Sequence, residues 1–414
     1  MTFCRRSAIL LMFVIVSVAC IHAQVVGEVL PPWTPGTLDI HQISTGRGNS
    51  ALFILPDGTT LLVDAGALAG AINPRWVAAR PDDSRPPGEW LVRYVRQMLR
   101  HESSVKLDYV LLTHFHGDHI GAFYEAEKPS KSGQYKLTGI TEVGEQIPIG
   151  EIMDRGWHDY QYPAPLKDST VQNYRAFVKW QSEHNGMRIE RFRAGRNDQI
   201  VLLHDKPHYP NFEIRNIVMN GEVWTGVGSN TRQLFPDLKD VPPADRPTEN
   251  MCSGGFRLSY GNFDYYTGGD IPGIPLDGFP QWHDLETPVA QAVGPVEVAL
   301  MNHHGYIDSQ NAFFIGALRP RVWILNAWES AHPTARVYER LQSTRIYPGP
   351  RDIFATQMHD ANRLVVVGLD KLASSHGHIV VRVAPGGGTF KVVILDDSTE
   401  SYRVTSVHGA YESR

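Results

Sequence analysis

The chain has 414 residues, of which 42% are hydrophobic and 20% are charged, and its formal net charge is −5. This is the composition of an ordinary globular protein with enough apolar material for a sizeable core. The acidic balance argues against a surface that coats a polyanion. Any nucleic acid or phosphate ester would therefore have to be bound locally, by metal ions and a few basic side chains.

Residues 1–23 have the pattern of a secretory signal peptide, in which two arginines precede an apolar stretch too short to span a bilayer comfortably. We therefore expect an exported protein, periplasmic or extracellular, with no membrane-spanning domain after the signal is removed. The alternatives are a lipoprotein anchored through Cys20 and a retained N-terminal anchor. After cleavage Cys252 has no cysteine partner, so we expect no internal disulfide.

Apolar runs and turn signals predict the elements of the first third of the chain. Residues 24–36 carry three prolines and are predicted to be an extended linker. A Pro-Asp-Gly turn at 56–58 predicts a hairpin, and apolar residues at i, i+3, i+4 and i+7 predict a helix at 90–99. The predicted strands are 38–42, 50–55, 59–63 and 107–113.

Residues 124–250 are predicted to be a long insertion in which strands, helices and loops alternate. Its predicted elements are a helix at 173–184, strands at 199–203 and 212–218, and a loop at 225–248. The elements predicted after it are a hairpin at 256–267, strands at 296–301, 321–325, 379–383 and 390–395, and a helix at 334–342. Strand pairs at both ends, with strand–helix alternation between them, favour an α/β fold with helices outside two sheets.

Three histidines and a carboxylate occur within six residues after the predicted strand at 107–113. The order is His114-Phe115-His116-Gly117-Asp118-His119. Side chains this close together at a strand end can all turn into one pocket. Neutral imidazoles suit zinc and other first-row metals, and the carboxylate adds an anionic oxygen ligand. A polar turn with incidental histidines is the alternative, but four metal-competent side chains in six residues favour a metal site.

Further candidate ligands follow other predicted strands. Asp64 ends the first hairpin, and Asp270 follows the second hairpin and two glycines, which leave room for close backbone approach. His303 and His304 follow the apolar strand at 296–301. Four predicted strands therefore each end in a candidate ligand or in a residue that could orient one.

These stretches resemble metallo-β-lactamase-fold hydrolases, and more closely the hydrolase domain of ComEC-like DNA-uptake proteins and their exported relatives. The resemblance implies an αββα sandwich and one domain over 37–414. The matching stretches are Gly46-Arg47-Gly48-Asn49-Ser50-Ala51, Leu61-Leu62-Val63-Asp64-Ala65-Gly66, Thr113-His114-Phe115-His116-Gly117-Asp118-His119-Ile120-Gly121, Leu258-Ser259-Tyr260-Gly261 through Thr267-Gly268-Gly269-Asp270, and Asn302-His303-His304-Gly305.

The same resemblance implies a centre for one or two metal ions, with zinc expected and manganese as the alternative. His114 and His116 would bind one ion, Asp118 and His119 would bind the other, and Asp270 would bridge them. Asp118 would also act in catalysis, because it would orient the attacking water and carry its proton.

One of His303 and His304 would complete the second ion's ligands. Alignment on the following glycine favours His304, and the other histidine would lie near the substrate. Asp64 would orient a ligand from behind. Three further residues are candidates for supporting a ligand or contacting substrate: Asn250, Ser253 and His332.

The chain departs from the wider family at one position. Many members have another histidine before the bridging aspartate, where this chain reads Glu249-Asn250-Met251-Cys252-Ser253. The ComEC-like group tends to have Asn and Ser there, so the first metal site is expected to be weaker or to include water or substrate. For Cys252 a thiolate ligand and a small core residue are the two alternatives.

These features predict an exported metal-dependent hydrolase that uses a metal-activated water on a phosphodiester, either a small molecule or nucleic acid. No G-x-S-x-G, P-loop or dinucleotide motif offers another mechanism. One alternative is a carbonyl-directed hydrolase of a lactone, β-lactam or other ester or amide. The other is a metal-bound binding protein without turnover. The oligomeric state is left open.

Overall fold

A computed structural model describes residues 24–70, 73–100, 104–276 and 278–414. The predicted signal peptide, with Cys20, lies outside these residues. None of the helices in this part of the chain combines the length and the apolar character needed to cross a membrane.

The described ranges contain seventeen strands and eight α-helices. The strands are β1 Leu38–Gln42, β2 Ala51–Ile54, β3 Thr60–Val63, β4 Leu107–Leu111, β5 Ile149–Asp154, β6 Arg188–Arg191, β7 Phe212–Met219, β8 Glu222–Trp224, β9 Thr231–Gln233, β10 Gly255–Tyr260, β11 Phe263–Thr267, β12 Val298–Leu300, β13 Val322–Leu325, β14 Asp352–Ala355, β15 His378–Val383, β16 Thr389–Leu395 and β17 Val404–Glu412. The helices are α1 Pro87–Met98, α2 Gly117–Ile120, α3 Ile140–Gln146, α4 Ser169–Asn185, α5 Glu286–Val293, α6 Ala312–Leu318, α7 Ala335–Gln342 and α8 Asp360–Val365.

The strands form two mixed sheets. In the described residues the first sheet has the order β17-β16-β15-β1-β2-β3-β4-β5-β6, and the second has the order β14-β13-β12-β11-β10-β7-β8-β9. Strands β3 to β6 are parallel to one another, and so are β11 to β14. Because parallel strands end at the same edge of a sheet, the residues that follow β3, β4 and β5 lie together, as do those that follow β11 and β12.

Side-chain alternation along the strands divides the core into layers. In β2 and β3, Phe53 and Leu61 point into the space between the sheets, whereas Leu52 and Leu62 pack on the opposite face with α1. Phe53 meets Tyr265 of the second sheet edge-on, with ring centroids 5.5 Å apart. Both sheets therefore contribute apolar side chains to the layer between them.

Helices cover the outer faces. In α1, Pro87 occupies the first turn, and Leu91, Tyr94 and Val95 form the buried face toward the first sheet. On the second sheet, α5, α6 and α7 contribute buried residues to an outer cluster with β12 and β13. The layer order is helix, sheet, sheet, helix, and this confirms the predicted αββα sandwich.

Most predicted elements are present, but two predictions inside 124–250 were wrong. Residues 199–203 form no strand, because Ile200 and Leu202 bury their side chains in the core from an irregular backbone. The predicted loop 225–248 contains β9, which pairs with β8 to form a hairpin. Strands of this region extend both sheets. The division into a signal, a linker over 24–36 and a single domain with an insertion stays a prediction.

Candidate metal centre

The predicted ligands lie where strands of the two sheets end. Asp64 follows β3 and His114–His119 follows β4, while Asp270 follows β11 and both His303 and His304 follow β12. The two sets of strand ends meet at one edge of the sandwich, where His119 Nε2 lies 3.2 Å from Asp270 Oδ1. The topology therefore brings together residues that are far apart in the chain.

The Asp64-Ala65-Gly66 stretch positions the backbone of the histidine motif. The carbonyl oxygen of Asp118 accepts a hydrogen bond from the Asn49 amide at 2.7 Å. A Cβ placed on Gly66 would lie only 1.9 Å from that carbonyl oxygen, so a glycine is required at this close approach. The glycine motifs noted in the sequence therefore allow the metal-binding motif to pack against β3.

Four donor atoms converge in the centre. Asp118, His119, Asp270 and His304 each offer one ligand atom, and these atoms lie within 4.8 Å of one another. His119 Nε2 lies 3.2 Å from His304 Nε2, and His304 Nε2 lies 3.3 Å from Asp118 Oδ2. Tetrahedral zinc with bonds of about 2.0–2.1 Å has donor-to-donor edges of roughly 3.3 Å. This group, the four-donor site, has the spacing of one ion's ligands.

The hydrogen bonds behind two of these imidazoles show which nitrogens carry lone pairs. His119 Nδ1 lies 2.8 Å from the Asp64 carboxylate, and His304 Nδ1 lies 3.0 Å from the Asn326 carbonyl oxygen. Both partners only accept, so each Nδ1 carries a proton, and in the neutral ring the lone pair of each Nε2 is directed into the centre. Two such nitrogens beside two carboxylates attract positive charge, which either protons or a metal ion can supply. The donor set therefore fits a divalent metal ion.

A second group shares Asp270. His114, His116 and Asp270 form it, with His114 Nε2 3.1 Å from His116 Nδ1 and 3.8 Å from Asp270 Oδ2. His114 Nδ1 faces the Thr113 hydroxyl at 3.2 Å, and that hydroxyl donates to Asp64 at 2.9 Å. We call this group the three-donor site. Three protein donors leave at least one coordination position for a further ligand.

The electrostatics of the centre favour bound positive charge. Burial disfavours the protonated form of His119, but the carboxylates of Asp270, Asp64 and Asp118 outweigh burial and raise its pKa well above the usual value. Burial alone would raise the pKa values of Asp118 and Asp270, yet His119 and His304 outweigh it and lower both. Because a metal ion competes with protons for these groups, metal binding is expected to release protons.

The structure separates the two neighbouring histidines after β12. His304 joins the four-donor site, whereas His303 places Nδ1 2.7 Å from Asp308 Oδ1 and Nε2 3.0 Å from Asn250 Nδ2. Burial opposes protonation of His303, but the hydrogen bond to Asp308 and the carboxylate of Asp270 outweigh it and raise its pKa to about 9. His303 therefore lines the cavity beside the donors and lies outside both donor groups of the described residues.

The other predicted site residues lie around the donors. Asp64 holds His119 as described, and Ser253 Oγ accepts a hydrogen bond from the Asp270 amide at 3.1 Å. The His332 ring stacks on His304 with centroids 4.7 Å apart. Asn250 lines the cavity, and its amide oxygen is buried without a hydrogen-bond partner. The structure thus places all the predicted site residues in one region, and their individual roles stay predictions.

Cys252 is placed in the core. Its side chain is 0% exposed, and burial raises the pKa of its thiol to about 12. It packs in the outer cluster of the second sheet and joins neither donor group of the described residues. Of the two alternatives, the geometry favours the small core residue over the thiolate ligand.

A cavity of about 250 Å³ opens onto both donor groups. Trp328 Nε1 points toward His304 Nε2 at 3.4 Å, and Arg75 forms an ion pair with Glu329 at 2.6 Å. An antiparallel bridge between Trp76 and Glu329 brings these segments together, and no sequence pattern indicates it. The lining residues that sequence analysis missed are Arg75, Tyr306, Trp328 and Glu329.

A buried ion pair beside the histidine motif was also missed. Arg155 follows β5, has a side chain that is 0% exposed, and donates from Nε to Glu249 Oε1 at 2.7 Å. The same carboxylate oxygen accepts from the Phe115 amide at 2.8 Å. The guanidinium lies over the Phe115 ring, 5.0 Å from its centroid. This pair therefore contacts the residue between His114 and His116. The position of Arg155 depends on β5, a strand that the sequence pattern does not predict, so no sequence signal indicates the Arg155–Glu249 pair.

Comparison with known proteins agrees with this geometry. Residues 44–143 match the sequence model of the metallo-beta-lactamase superfamily. The matched stretch contains Asp64 and the whole histidine motif, whereas Asp270 and His304 lie beyond it. A search of curated proteins finds no match to the chain. The family match does not separate the ComEC-like group from other members. The match at 44–143 and the His/Asp cluster together suggest a metal-dependent hydrolase.

Proposed function

We propose that this protein is an exported metal-dependent phosphodiesterase of the ComEC-like type, acting on a small-molecule or nucleic-acid phosphodiester. The observation that carries the proposal is the polar cavity over the two donor groups. Arg75, Tyr306 and Trp328 line it with N–H and O–H groups. The non-bridging oxygens of a phosphodiester anion need such donors, whereas an apolar lactone or ester does not.

The size of the cavity limits the substrate. About 250 Å³ lies just below the roughly 300–1,000 Å³ of typical small-molecule sites. One phosphodiester group and part of its substituents fit, and a duplex does not. The net charge of −5 also favours recognition at the cavity over recognition along an extended surface. The cavity size and the net charge therefore favour a short or single-stranded phosphodiester as the substrate.

The chain's own residues have distinct proposed roles. Zinc or manganese held by the two donor groups would supply Lewis acidity and a water of lowered pKa. Asp118 lines the cavity with a side chain that is 14% exposed, so its carboxylate can orient the attacking water and accept its proton. His332 stacks on His304 and keeps that ring in place, while Arg75 lines the cavity and offers its guanidinium to a phosphate oxygen.

Hydrolysis of bis(p-nitrophenyl) phosphate tests the proposal. The purified protein, loaded with zinc or manganese, is expected to turn over this substrate, and a chelator is expected to abolish turnover. Asp118→Ala should lower the rate by at least about 100-fold, the usual range for loss of general acid–base catalysis. His184→Ala is the matched control, because that exposed histidine stacks on Trp180 on α4 and should leave the rate unchanged.

Parallel assays with a lactone, a β-lactam and p-nitrophenyl acetate distinguish the alternatives. Turnover of these substrates without phosphodiester hydrolysis would contradict the proposal and favour a carbonyl-directed hydrolase. Absence of all turnover in a protein with confirmed bound metal would favour a metal-binding protein without catalysis. Wild-type rates in metal-loaded Asp118→Ala would exclude the proposed role of that carboxylate.

A further inference from the structure

The two donor groups differ by one protein ligand. The four-donor site has two histidine nitrogens and two carboxylate oxygens, whereas the three-donor site lacks one oxygen of this set. The segment that stands in place of the family's additional histidine, Glu249–Gly254, runs beside the three-donor site. Its contacts indicate what completes the site.

One end of this segment is fixed by Glu249. Its carboxylate accepts from the Phe115 amide at 2.8 Å, directly between the two histidine ligands of the three-donor site. Arg155 holds the carboxylate through Nε at 2.7 Å and through a second contact from Nη2. The remaining Arg155 donor, Nη1, binds the Tyr162 carbonyl at 2.8 Å. Because a buried ion pair adds little net stability, its main effect here is to fix geometry.

The other end is fixed to both sheets. The Gly254 amide donates to the Thr113 carbonyl at 2.8 Å, next to the histidine motif. Ser253 Oγ accepts from the Asp270 amide at 3.1 Å. Every ligand-bearing element of the three-donor site therefore contacts Glu249–Gly254. Asn250, within this segment, lines the same cavity as His116 and Asp270.

The hydrogen bonds of Asn250 orient its amide. His303 Nδ1 lies 2.7 Å from the Asp308 carboxylate, which only accepts, so Nδ1 carries a proton. Asn250 Nδ2 faces His303 Nε2 at 3.0 Å. Metal ions beside this ring favour its neutral form over the imidazolium, and in the neutral form Nε2 accepts from the amide. The amide oxygen then points away from His303, where it is buried without a partner. Burial of an unpaired amide oxygen costs free energy that coordination of a cation would offset.

We propose that Asn250 Oδ1 is the fourth protein donor of the three-donor site, and that the Arg155–Glu249 pair holds it there. The completed set is two histidine nitrogens, one carboxylate oxygen and one amide oxygen, which suits zinc and also a harder ion such as manganese. The inference rests on the proposed function, since it requires a centre that binds two ions.

Metal binding tests this inference without reference to any substrate. Protein stripped with a chelator is titrated calorimetrically with Zn²⁺ and with Mn²⁺, and the bound metal is counted after dialysis. The wild type should bind two ions. Asn250→Ala should keep one ion at wild-type affinity and bind the second at least about tenfold more weakly. Asn250→Asp, which retains an oxygen ligand but no N–H donor, should bind two ions at least as tightly as the wild type.

The matched control is Asn362→Ala. Asn362 also has a buried amide oxygen without a partner, and its Nδ2 donates to the Pro333 carbonyl at 3.1 Å, on α8 and outside the cavity. Loss of this amide should leave two ions bound at wild-type affinity. Asn250→Leu, close to Asn in shape but without polar atoms, must behave as Asn250→Ala does and replaces it if that variant fails to fold.

Each other outcome overturns the inference. Two ions at wild-type affinity in Asn250→Ala would show that the amide is no ligand. An Asn250→Asp variant that loses the second ion would show that the amide acts through its N–H groups. A wild type that binds one ion would overturn the inference and leave a mononuclear hydrolase, whereas one that binds none would overturn the proposed function as well.

Discussion

The four-donor and three-donor sites share Asp270 but are supported in different ways. In the four-donor site, His119 and His304 are buried, and each ring is held from behind, by Asp64 and by the Asn326 carbonyl. In the three-donor site His116 is exposed, and support comes from Glu249–Gly254. The ligands of both sites follow strand ends, but the three-donor site depends in addition on a loop segment and a buried ion pair.

This difference predicts an order of metal affinity. Ligands held by strand ends lose little freedom when an ion binds, whereas the three-donor site relies on a segment that must stay docked. The four-donor site should therefore bind its ion more tightly and should survive changes in Glu249–Gly254.

Asp270→Ala should have the largest effect, because it removes a donor from both sites. Bound metal should fall below one ion per chain, and the proposed phosphodiesterase activity should fall by at least about 1,000-fold. Metal counting after dialysis checks the first expectation. Asp264→Asn is the control, since Asp264 lies on β11, the strand that Asp270 follows, and pairs with Arg257. Two bound ions in Asp270→Ala would contradict the assignment of a shared ligand.

His304→Ala and His303→Ala separate two neighbouring residues with different surroundings. His304→Ala should remove the tight ion of the four-donor site, because it deletes one of four donors. His303→Ala should keep that ion, because His303 contacts Asp308 and Asn250 instead. Calorimetric titration with Zn²⁺ measures both affinities. If both variants lose the tight ion equally, the assignment of His304, and not His303, to the four-donor site is wrong.

The Arg155–Glu249 pair should affect only the three-donor site. Arg155→Met leaves the Glu249 charge unpaired and should lower the free energy of unfolding by about 3–5 kcal/mol. The double variant Arg155→Met/Glu249→Gln should recover much of that stability. It should still bind the second ion about tenfold more weakly, because the geometry is lost. Denaturant unfolding and metal titration of both variants measure these effects. If the double variant binds both ions with wild-type affinity, the Arg155–Glu249 pair does not position the three-donor site.

The smallest effect concerns a buried histidine remote from the centre. Burial and the nearby His41 lower the pKa of His378 to about 3, from 6.5. The unfolded chain therefore binds more protons below pH 6.5, and stability falls as the pH falls. Metal-stripped protein should lose about 2 kcal/mol between pH 7 and pH 5 from this residue alone. His378→Gln should lose less free energy of unfolding over this pH range. A pH profile identical to that of the wild type would exclude His378 as the cause. His184→Gln, a change at an exposed histidine, is the control.

The local parts of the centre could be predicted from the sequence. His114–His119 falls in six residues after an apolar strand, and Asp270 follows a hairpin with a clear turn, so periodicity was enough to place both. Periodicity failed at 199–203, because Ile200 and Leu202 are buried from an irregular backbone. Burial alone does not specify a strand.

The supporting contacts could not be predicted, because they join residues that only the folded chain brings together. Arg155 and Glu249 are 94 residues apart, and Arg75 and Glu329 are 254 apart. Each ion pair forms only because the fold places a whole strand or loop next to the partner residue. Arg155 in particular depends on β5, whose residues lack a clear alternating pattern.

All of these predictions depend on a two-ion centre built from both donor groups. A crystal structure of the zinc-loaded protein, with anomalous scattering data collected at the zinc edge, tests it most directly. We predict two anomalous peaks about 3.5–4 Å apart, the usual spacing of two-metal sites. One should lie among Asp118, His119, Asp270 and His304, and the other among His114, His116 and Asp270. Zinc peaks elsewhere, or none at these residues, would exclude a two-ion centre at these ligands.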